Sequence, residues 1–321
     1  MRTKKGQISV LVVLLVLVAT VGFKHQAIQD WLLLRNYTPS AAVAQLAADD
    51  GMTPEAKHLF YVNHPTIAAN TTFTSHCPAG GEKTVVLGCY VSPDRGIYLY
   101  SVTDSRLQGV EQVTAAHETL HAAYRRLSSG ERKKVDAMLV DYYEHDLTDQ
   151  RIKDTIAAYK KSEPNDIVNE MHSVFGTEVP NLPAPLEQYY RQYFTNRATI
   201  TNFTAQYQSE FTSRQTQVSQ FDAQLASLKM QIDQDEAQLD SQRSAIATQS
   251  AQLQQFKNAG QISAFNTAVG SYNAAADNYN NLLGVVKGLI NQYNDIVDAR
   301  NAVALEEQAL TKALSAQALP N

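Results

Sequence analysis

The last third of the chain carries a seven-residue repeat of apolar side chains, which restricts the fold more than any other feature. The repeat occurs as two series, one on either side of a break at residues 258–260 (Asn-Ala-Gly). Its positions are Phe211, Val218, Leu225, Ile232, Leu239, Ile246 and Leu253 before the break, and Ile262, Val269, Ala276, Leu283, Ile290 and Val297 after it. Two such series around a glycine-containing break indicate an antiparallel helical hairpin of coiled-coil type. We therefore predict a hairpin over residues 196–321, whose surface is a candidate site for a coiled-coil partner or for homo-oligomerisation.

The chain before this hairpin combines strand patterns with helix patterns. Residues 59–62, 83–91 and 96–102 have strand character, and a Ser-Pro-Asp-Arg-Gly turn signal between the last two runs predicts a β-hairpin. Helix patterns cover residues 38–50, a stretch that begins at Thr53, residues 111–127 and 131–145, a stretch capped by Thr148, and residues 162–175. A short sheet combined with several helices indicates the α+β class.

The chain begins with a short basic segment, which is followed by an apolar run. Residues 8–23 carry no charge and consist mainly of Val and Leu. As a helix they would span about 24 Å, close to the ~30 Å of a bilayer core. We predict a cytoplasmic start at 1–5 and a transmembrane signal anchor at 6–24, which places the rest of a single-pass membrane protein outside the cytoplasm. A cleaved signal peptide is the alternative.

The chain has two cysteines, Cys77 and Cys89, which flank a Gly-Gly pair. In an oxidising compartment, such a pair is typical of a disulfide that stabilises a loop-rich segment. Two thiols alone cannot complete a zinc site, so a disulfide is favoured over metal binding. Unpaired buried cysteines are the alternative.

The charge distribution bears on the partners of the chain. The net charge is −5, and Lys and Arg are scattered along the sequence in runs of no more than three. Binding to nucleic acid requires a basic surface that neutralises phosphates. We therefore expect no nucleic-acid partner.

A His-Glu-x-x-His pattern is formed by His117, Glu118 and His121, in a run predicted to be helical. Histidines at positions i and i+4 of a helix lie on one face, one turn apart, so both imidazoles can bind the same Zn²⁺. Glu118, beside the first ligand, can then take a proton from a water molecule on the metal. The other positions between Thr114 and Ala123 are uncharged, as a helix beneath an active-site cleft requires. Two histidines packed in a helical core are the alternative.

A catalytic zinc ion needs a third protein ligand. Metzincins supply a histidine six residues after the second one, but Leu127 occupies that position here. The downstream run Asn-Glu-Met-His-Ser, which begins at Asn169, offers the carboxylate of Glu170 instead, 49 residues (170 − 121) after the second histidine. Together with the His-Glu-x-x-His pattern, this run resembles the Asn-Glu-x-x-Ser element of gluzincin zinc metallopeptidases. The resemblance covers residues 83–176, and Val174 stands where that family usually has Asp.

The resemblance to gluzincins implies a set of roles. It implies zinc ligands at His117, His121 and Glu170, with Glu118 as the general base. It also implies a sheet whose edge strand holds the backbone of the substrate, and residues 96–102 are our candidate for that strand.

These observations together predict a zincin-like metallopeptidase domain at 59–195, between a helical linker at 25–58 and the coiled-coil hairpin. In this domain His172 is a further candidate, as transition-state stabiliser or alternative ligand. The predicted function is that of a membrane-anchored, extracytoplasmic zinc-dependent peptidase that hydrolyses peptide bonds in a protein or peptide substrate. One alternative is a catalytically inactive, zincin-like coiled-coil scaffold or interaction protein of the cell envelope. Another is a zinc hydrolase that acts on a non-peptide bond.

Overall fold

The computed structural model of the chain describes residues 25–78, 86–91 and 96–315. The chain divides into two compact units. The first contains the residues up to Glu210 and those from Thr311 onward, and the second is Phe211–Leu310. The first unit combines short helices with a small sheet and the second is a helical hairpin, so the coarse description as α+β with a long hairpin is confirmed.

The helices of the described residues fall into a short and a long class. The short ones are α1 at 25–34, α2 Ala41–Asp49, α3 Pro54–Val62, α4 Asn70–His76, α5 Val110–Arg126, α6 Ser129–Asp141, α7 Gln150–Ser162, α8 Ile167–Glu178 and α9 Ala184–Tyr190. A 3-10 turn, Ser105–Leu107, precedes α5, and a π-helical turn, Tyr142–Asp146, follows α6. The long ones are α10 Arg197–Asn258 and α11 Ile262–Leu314.

Side-chain caps determine where several of the short helices begin. Thr53 accepts a hydrogen bond from the backbone of Ala56 at the start of α3, and Pro54 occupies the first turn. The predicted strand at 59–62 is therefore wrong, because this apolar run belongs to the same helix. Such short apolar runs fit a buried strand and a buried helix equally well. The cap of α7 is Asp149, one residue after the predicted Thr148.

Within the described residues the sheet has three strands, β1 Thr66–Ala68, β2 Gly88–Val91 and β3 Gly96–Tyr100, in the order β1-β3-β2. β2 and β3 pair antiparallel, as the predicted β-hairpin requires, whereas the turn at 92–95 lies outside the described residues. β1, which the sequence analysis did not identify, pairs parallel with β3. β3 is therefore the central strand, and the prediction that residues 96–102 form the edge strand is wrong.

Helix α5 lies at the centre of the first unit, where it contacts α2, α3, α8 and the strands β2 and β3. Its side chains at Ala115, Ala116 and Ala122 are fully buried. Because these side chains are small, the neighbouring elements come close to the α5 backbone. The helix with the His-Glu-x-x-His pattern is thus part of the core and not a surface helix.

The second unit consists of most of α10 and most of α11. Ion pairs between Arg214 and Glu306 and between Arg300 and Asp222 show that the two helices run antiparallel. The first helix ends at the predicted break, where Gly260 has a φ of 72°. The predicted helical hairpin is confirmed.

The prediction of a single-pass membrane protein needs correction. Within residues 25–78, 86–91 and 96–315, no helix has both the length and the apolar character needed to cross a bilayer. The predicted basic start at 1–5 and the predicted anchor at 6–24 lie entirely outside the described residues. The finding therefore gives no support to a membrane partner or to a location at the cell membrane.

Candidate metal centre

Helix α5 presents His117 and His121 on one face, one helical turn apart. Their ring centroids lie 4.7 Å apart, with the ring planes at 74° to each other. The helix begins immediately after Gly109, whose φ of 96° few other residues adopt. Both imidazoles direct their Nε2 atoms towards helix α8.

Glu170, in the first turn of α8, completes a three-residue group with these histidines. Its Oε1 atom lies 3.5 Å from Nε2 of His121, and its Oε2 atom lies 3.8 Å from Nε2 of His117. One donor atom from each residue lies within 4.8 Å of the other two. Ligand atoms at 2.0–2.1 Å around a tetrahedral zinc ion are about 3.3 Å apart. Two imidazole nitrogens and one carboxylate oxygen therefore fit a zinc ion after small adjustments of the side chains.

A glycine allows the two ligand-bearing helices to approach each other. A Cβ atom at Gly176 of α8 would lie 2.4 Å from Leu120 of α5 and 2.8 Å from Tyr190 of α9. Both of these side chains are fully buried, so they have little room to move aside. Close packing of α8 on α5 depends on the absence of a side chain at this position.

Burial also sets the protonation state of one of the histidines. It lowers the pKa of His117 well below its usual value, and the neighbouring His121 adds to this effect. A neutral imidazole has the lone pair that metal coordination needs.

The second ring nitrogen of His121 has no hydrogen-bond partner. This atom, Nδ1, is buried and makes no hydrogen bond in the described structure. Metal-binding histidines usually donate this second N–H to a carboxylate or a carbonyl.

Glu118 lies next to the ligand group, between α5 and strand β2. Burial raises the pKa of Glu118 to about 7, and the nearby Glu170 carboxylate acts in the same direction. The neighbouring His121 opposes this shift, and a hydrogen bond from the backbone N–H of Tyr90 opposes it to a smaller extent. The close approach of β2 requires glycine at position 88, since a Cβ atom there would lie 2.5 Å from Thr114 and 2.8 Å from Oε1 of Glu118. The carboxyl group of Glu118 can therefore exchange a proton near neutral pH.

The ligand group opens into a cleft of about 730 Å³ within the first unit. The edge strand β2 lines one part of the cleft, and helices α7 and α8 line another. Two tyrosines in this lining, Tyr159 of α7 and Tyr207 at the base of α10, were missed by the sequence analysis. No sequence signal marks them, because tyrosines at helical spacing are usually core residues.

Cys77 and Cys89 are joined by a disulfide, with their Cα atoms 5.9 Å apart. The bond connects the end of α4 to the edge strand β2 and lies beside the cleft. The cross-link thereby restricts the strand that contacts Glu118.

The structure places His172 away from the ligand group. His172 follows Glu170 by two residues, which corresponds to about 200° around a helix. Its side chain is fully buried, and its Nε2 atom lies 2.8 Å from the hydroxyl of Tyr189. Burial lowers the pKa of His172 to about 3. The ring packs among Tyr124, Tyr189, Tyr190 and Tyr193. The geometry therefore does not support the roles of alternative ligand or transition-state stabiliser for this residue.

Comparison of the chain with protein-family models, with curated proteins and with solved structures found no match. Any functional assignment therefore depends on the residues and the geometry of the site itself.

Proposed function

We propose that the chain is a zinc-dependent peptidase whose active site lies in the first unit. One observation carries this proposal: His117, His121 and Glu170 bring two imidazole nitrogens and a carboxylate oxygen together in the lining of a cleft. The resemblance of these positions to the gluzincin pattern supports the same conclusion. In this proposal the three residues hold one zinc ion, as the donor set of a catalytic zinc site requires.

The bound zinc would supply Lewis acidity to the water and to the scissile carbonyl group. In this proposal Glu118 accepts a proton from the attacking water and passes it to the leaving amine. Its burial and its contact with the Tyr90 backbone keep the carboxyl group in one position. Tyr159 lines the same cleft, and its hydroxyl is our candidate donor to the oxygen on which negative charge develops.

Strand β2 is our candidate for the element that binds the backbone of the substrate. It is an edge strand of the described sheet, it lines the cleft, and it contacts the helix with Glu118. An extended peptide can add to such an edge through main-chain hydrogen bonds. This mode of binding is characteristic of peptides and favours a peptide bond over other hydrolysable bonds.

The test combines metal content with cleavage, and it uses Glu118→Gln in the full chain. We expect the wild type to bind one zinc ion and to cleave members of a peptide library. Glu118→Gln should keep the zinc but lose at least about 100-fold in rate, because it removes the proton acceptor. The exposed Glu144→Gln is the matched control and should behave as the wild type. A wild type without zinc, or a Glu118→Gln variant with full activity, would contradict the proposal.

A second candidate is a zinc-stabilised scaffold whose function lies in the hairpin. The observation in its favour is the size of the second unit, which spans Phe211–Leu310 and contributes no residue to the ligand group. Zinc binding by the wild type without any cleavage of the library would favour this candidate over the peptidase.

A further inference from the structure

Arg197, the first residue of α10, lies against the C-terminal end of α8. Only 6% of this residue is exposed. Its guanidinium donates hydrogen bonds to the backbone carbonyls of Phe175 at 3.4 Å, of Pro180 at 3.0 Å, and of Val179. Glu187 of α9 forms an ion pair with the same guanidinium. One buried cation thus satisfies carbonyl groups at a helix end, where intrahelical partners are lacking and positive charge is favoured.

Two further side chains contact the backbone of α8 from the same elements. The hydroxyl of Tyr190 donates to the carbonyl of His172 at 2.7 Å, and the hydroxyl of Thr204 donates to the carbonyl of Thr177 at 3.0 Å. The guanidinium of Arg197 lies 6.0 Å from the ring centroid of Tyr190. The carbonyls of α8 therefore have partners on α9 and on the first turns of α10.

These contacts bear on Glu170 because it belongs to the same short helix. Metal–ligand distances tolerate deviations of only about 0.2 Å, so a shift of α8 that the Glu170 side chain does not compensate misplaces the carboxylate. Packing against α5 at Gly176 limits the distance between the two helices. Directional hydrogen bonds to the carbonyls of α8 add a restraint on its position along its axis.

We propose that Arg197 is a positioning residue for Glu170. Its guanidinium holds the end of α8, and thereby the distance from the Glu170 carboxylate to His117 and His121. This inference rests on the proposed zinc site. It also assigns the start of the hairpin helix to the metal-binding unit, in agreement with the extent of that unit up to Glu210.

The experiment measures zinc affinity by competition with a chelator in the full-length protein. Arg197→Met removes the charge and all the hydrogen bonds of the guanidinium, and Arg197→Lys keeps the charge alone. We expect Arg197→Met to weaken zinc binding about tenfold, with Arg197→Lys between it and the wild type. The exposed Arg191→Met is the matched control and should leave the affinity unchanged.

A double-mutant cycle with Glu170→Ala separates positioning from a general effect on folding. If Arg197 acts through Glu170, Arg197→Met causes no further loss of zinc affinity once the Glu170 carboxylate is absent. An equal loss in both backgrounds would overturn the proposal. If Arg197→Met does not fold, the same cycle with Arg197→Lys decides the question.

Amide hydrogen exchange of the metal-free protein gives a second readout that needs no zinc. We expect Arg197→Met to speed up exchange in α8 while exchange in α5 stays as in the wild type. Unchanged exchange in α8 would overturn the proposal. A wild type that binds no zinc would refute the proposed function, and this exchange measurement would still show whether Arg197 fixes α8.

Discussion

The two units of the chain depend on their packing to different degrees. In the first unit, a Cβ atom at Gly176 would lie 2.4 Å from a fully buried neighbour, whereas in the second unit a Cβ atom at Gly284 would meet nothing within 4 Å. The first unit brings three candidate ligand residues from two helices together, and the second repeats one contact pattern along two long helices. A side chain added at the buried Gly176 should therefore damage the first unit, whereas one added at the exposed Gly284 should be tolerated by the second.

Both units also contain buried polar groups without partners in the described structure; those of the first unit include ionisable side chains, whereas those of the second are glutamines. In the first unit, the carboxylate oxygens of Asp50 are buried and make no hydrogen bond in the described structure. In the second unit, the side-chain oxygens of Gln242 and Gln249 are in the same situation. Uncharged polar residues in a coiled-coil seam reduce stability but can specify the register of the helices.

The largest expected difference between the units is in the unfolding free energy lost when a glycine in each is replaced by valine. Gly176→Val should destabilise the first unit by about 3 kcal/mol, because the new side chain has no space beside Leu120 and Tyr190. It should also weaken zinc binding. Gly284→Val is the matched control in the hairpin and should change the unfolding free energy by less than about 0.5 kcal/mol. Urea unfolding measures both variants, and equal losses would remove the distinction between the units.

Asp50→Asn should increase the unfolding free energy, by less than Gly176→Val decreases it. Burial raises the pKa of Asp50 well above its usual value, so the folded state keeps a proton that the unfolded state releases near pH 4, to within about one unit. The unfolding free energy of the wild type therefore decreases as the pH rises above about 4. Asp50→Asn should be more stable by about 1–2 kcal/mol at pH 7, with a difference that shrinks towards about pH 4.

Urea unfolding at several pH values tests this expectation. The exposed Asp277→Asn in the hairpin serves as the control and should not alter the pH dependence. An Asp50→Asn variant that is less stable than the wild type at pH 7 would show that Asp50 is ionised and stabilised by a partner.

Gln242→Leu should stabilise the hairpin by about 1 kcal/mol, because an apolar side chain replaces a buried oxygen that has no partner. Thermal unfolding measures the change, and the exposed Gln255→Leu is the control. If the seam glutamine specifies register, the stabilised variant should also form additional oligomers in sedimentation experiments. A loss of stability would show that Gln242 has a structural partner in solution.

The smallest effect is expected for the ion pair between Arg300 and Asp222, which connects the two helices at the surface of the hairpin. Solvent and salt screen such exposed pairs. Arg300→Met should therefore leave the melting temperature unchanged within experimental scatter. A clear decrease would show that the hairpin depends on individual side-chain contacts as strongly as the first unit does.

Local signals in the sequence are sufficient for part of this structure. The heptad series predicted the hairpin and its break near Gly260, and the spacing of His117 and His121 placed both on one helix face. The predicted strand at 59–62 is wrong, because a short apolar run does not distinguish a strand from a helix.

Long-range features could not be read in the same way. Strand β1 has only three residues, too few for a sequence pattern to mark it. Because β1 pairs with β3, β3 is the central strand of the described sheet and not an edge strand. His172 is close to Glu170 in sequence but points into an aromatic cluster, which only the packing of α9 reveals. The contacts of Arg197 with α8 likewise carry no local signal.

X-ray absorption at the zinc edge, on the purified full chain, tests the central claim most directly. The claim predicts one zinc ion per chain with two imidazole nitrogens and a carboxylate oxygen at about 2.0–2.2 Å. It also predicts that Glu170→Ala removes the protein oxygen from this set while both nitrogens remain. A chain without zinc, or a zinc environment that Glu170→Ala does not change, would contradict the claim.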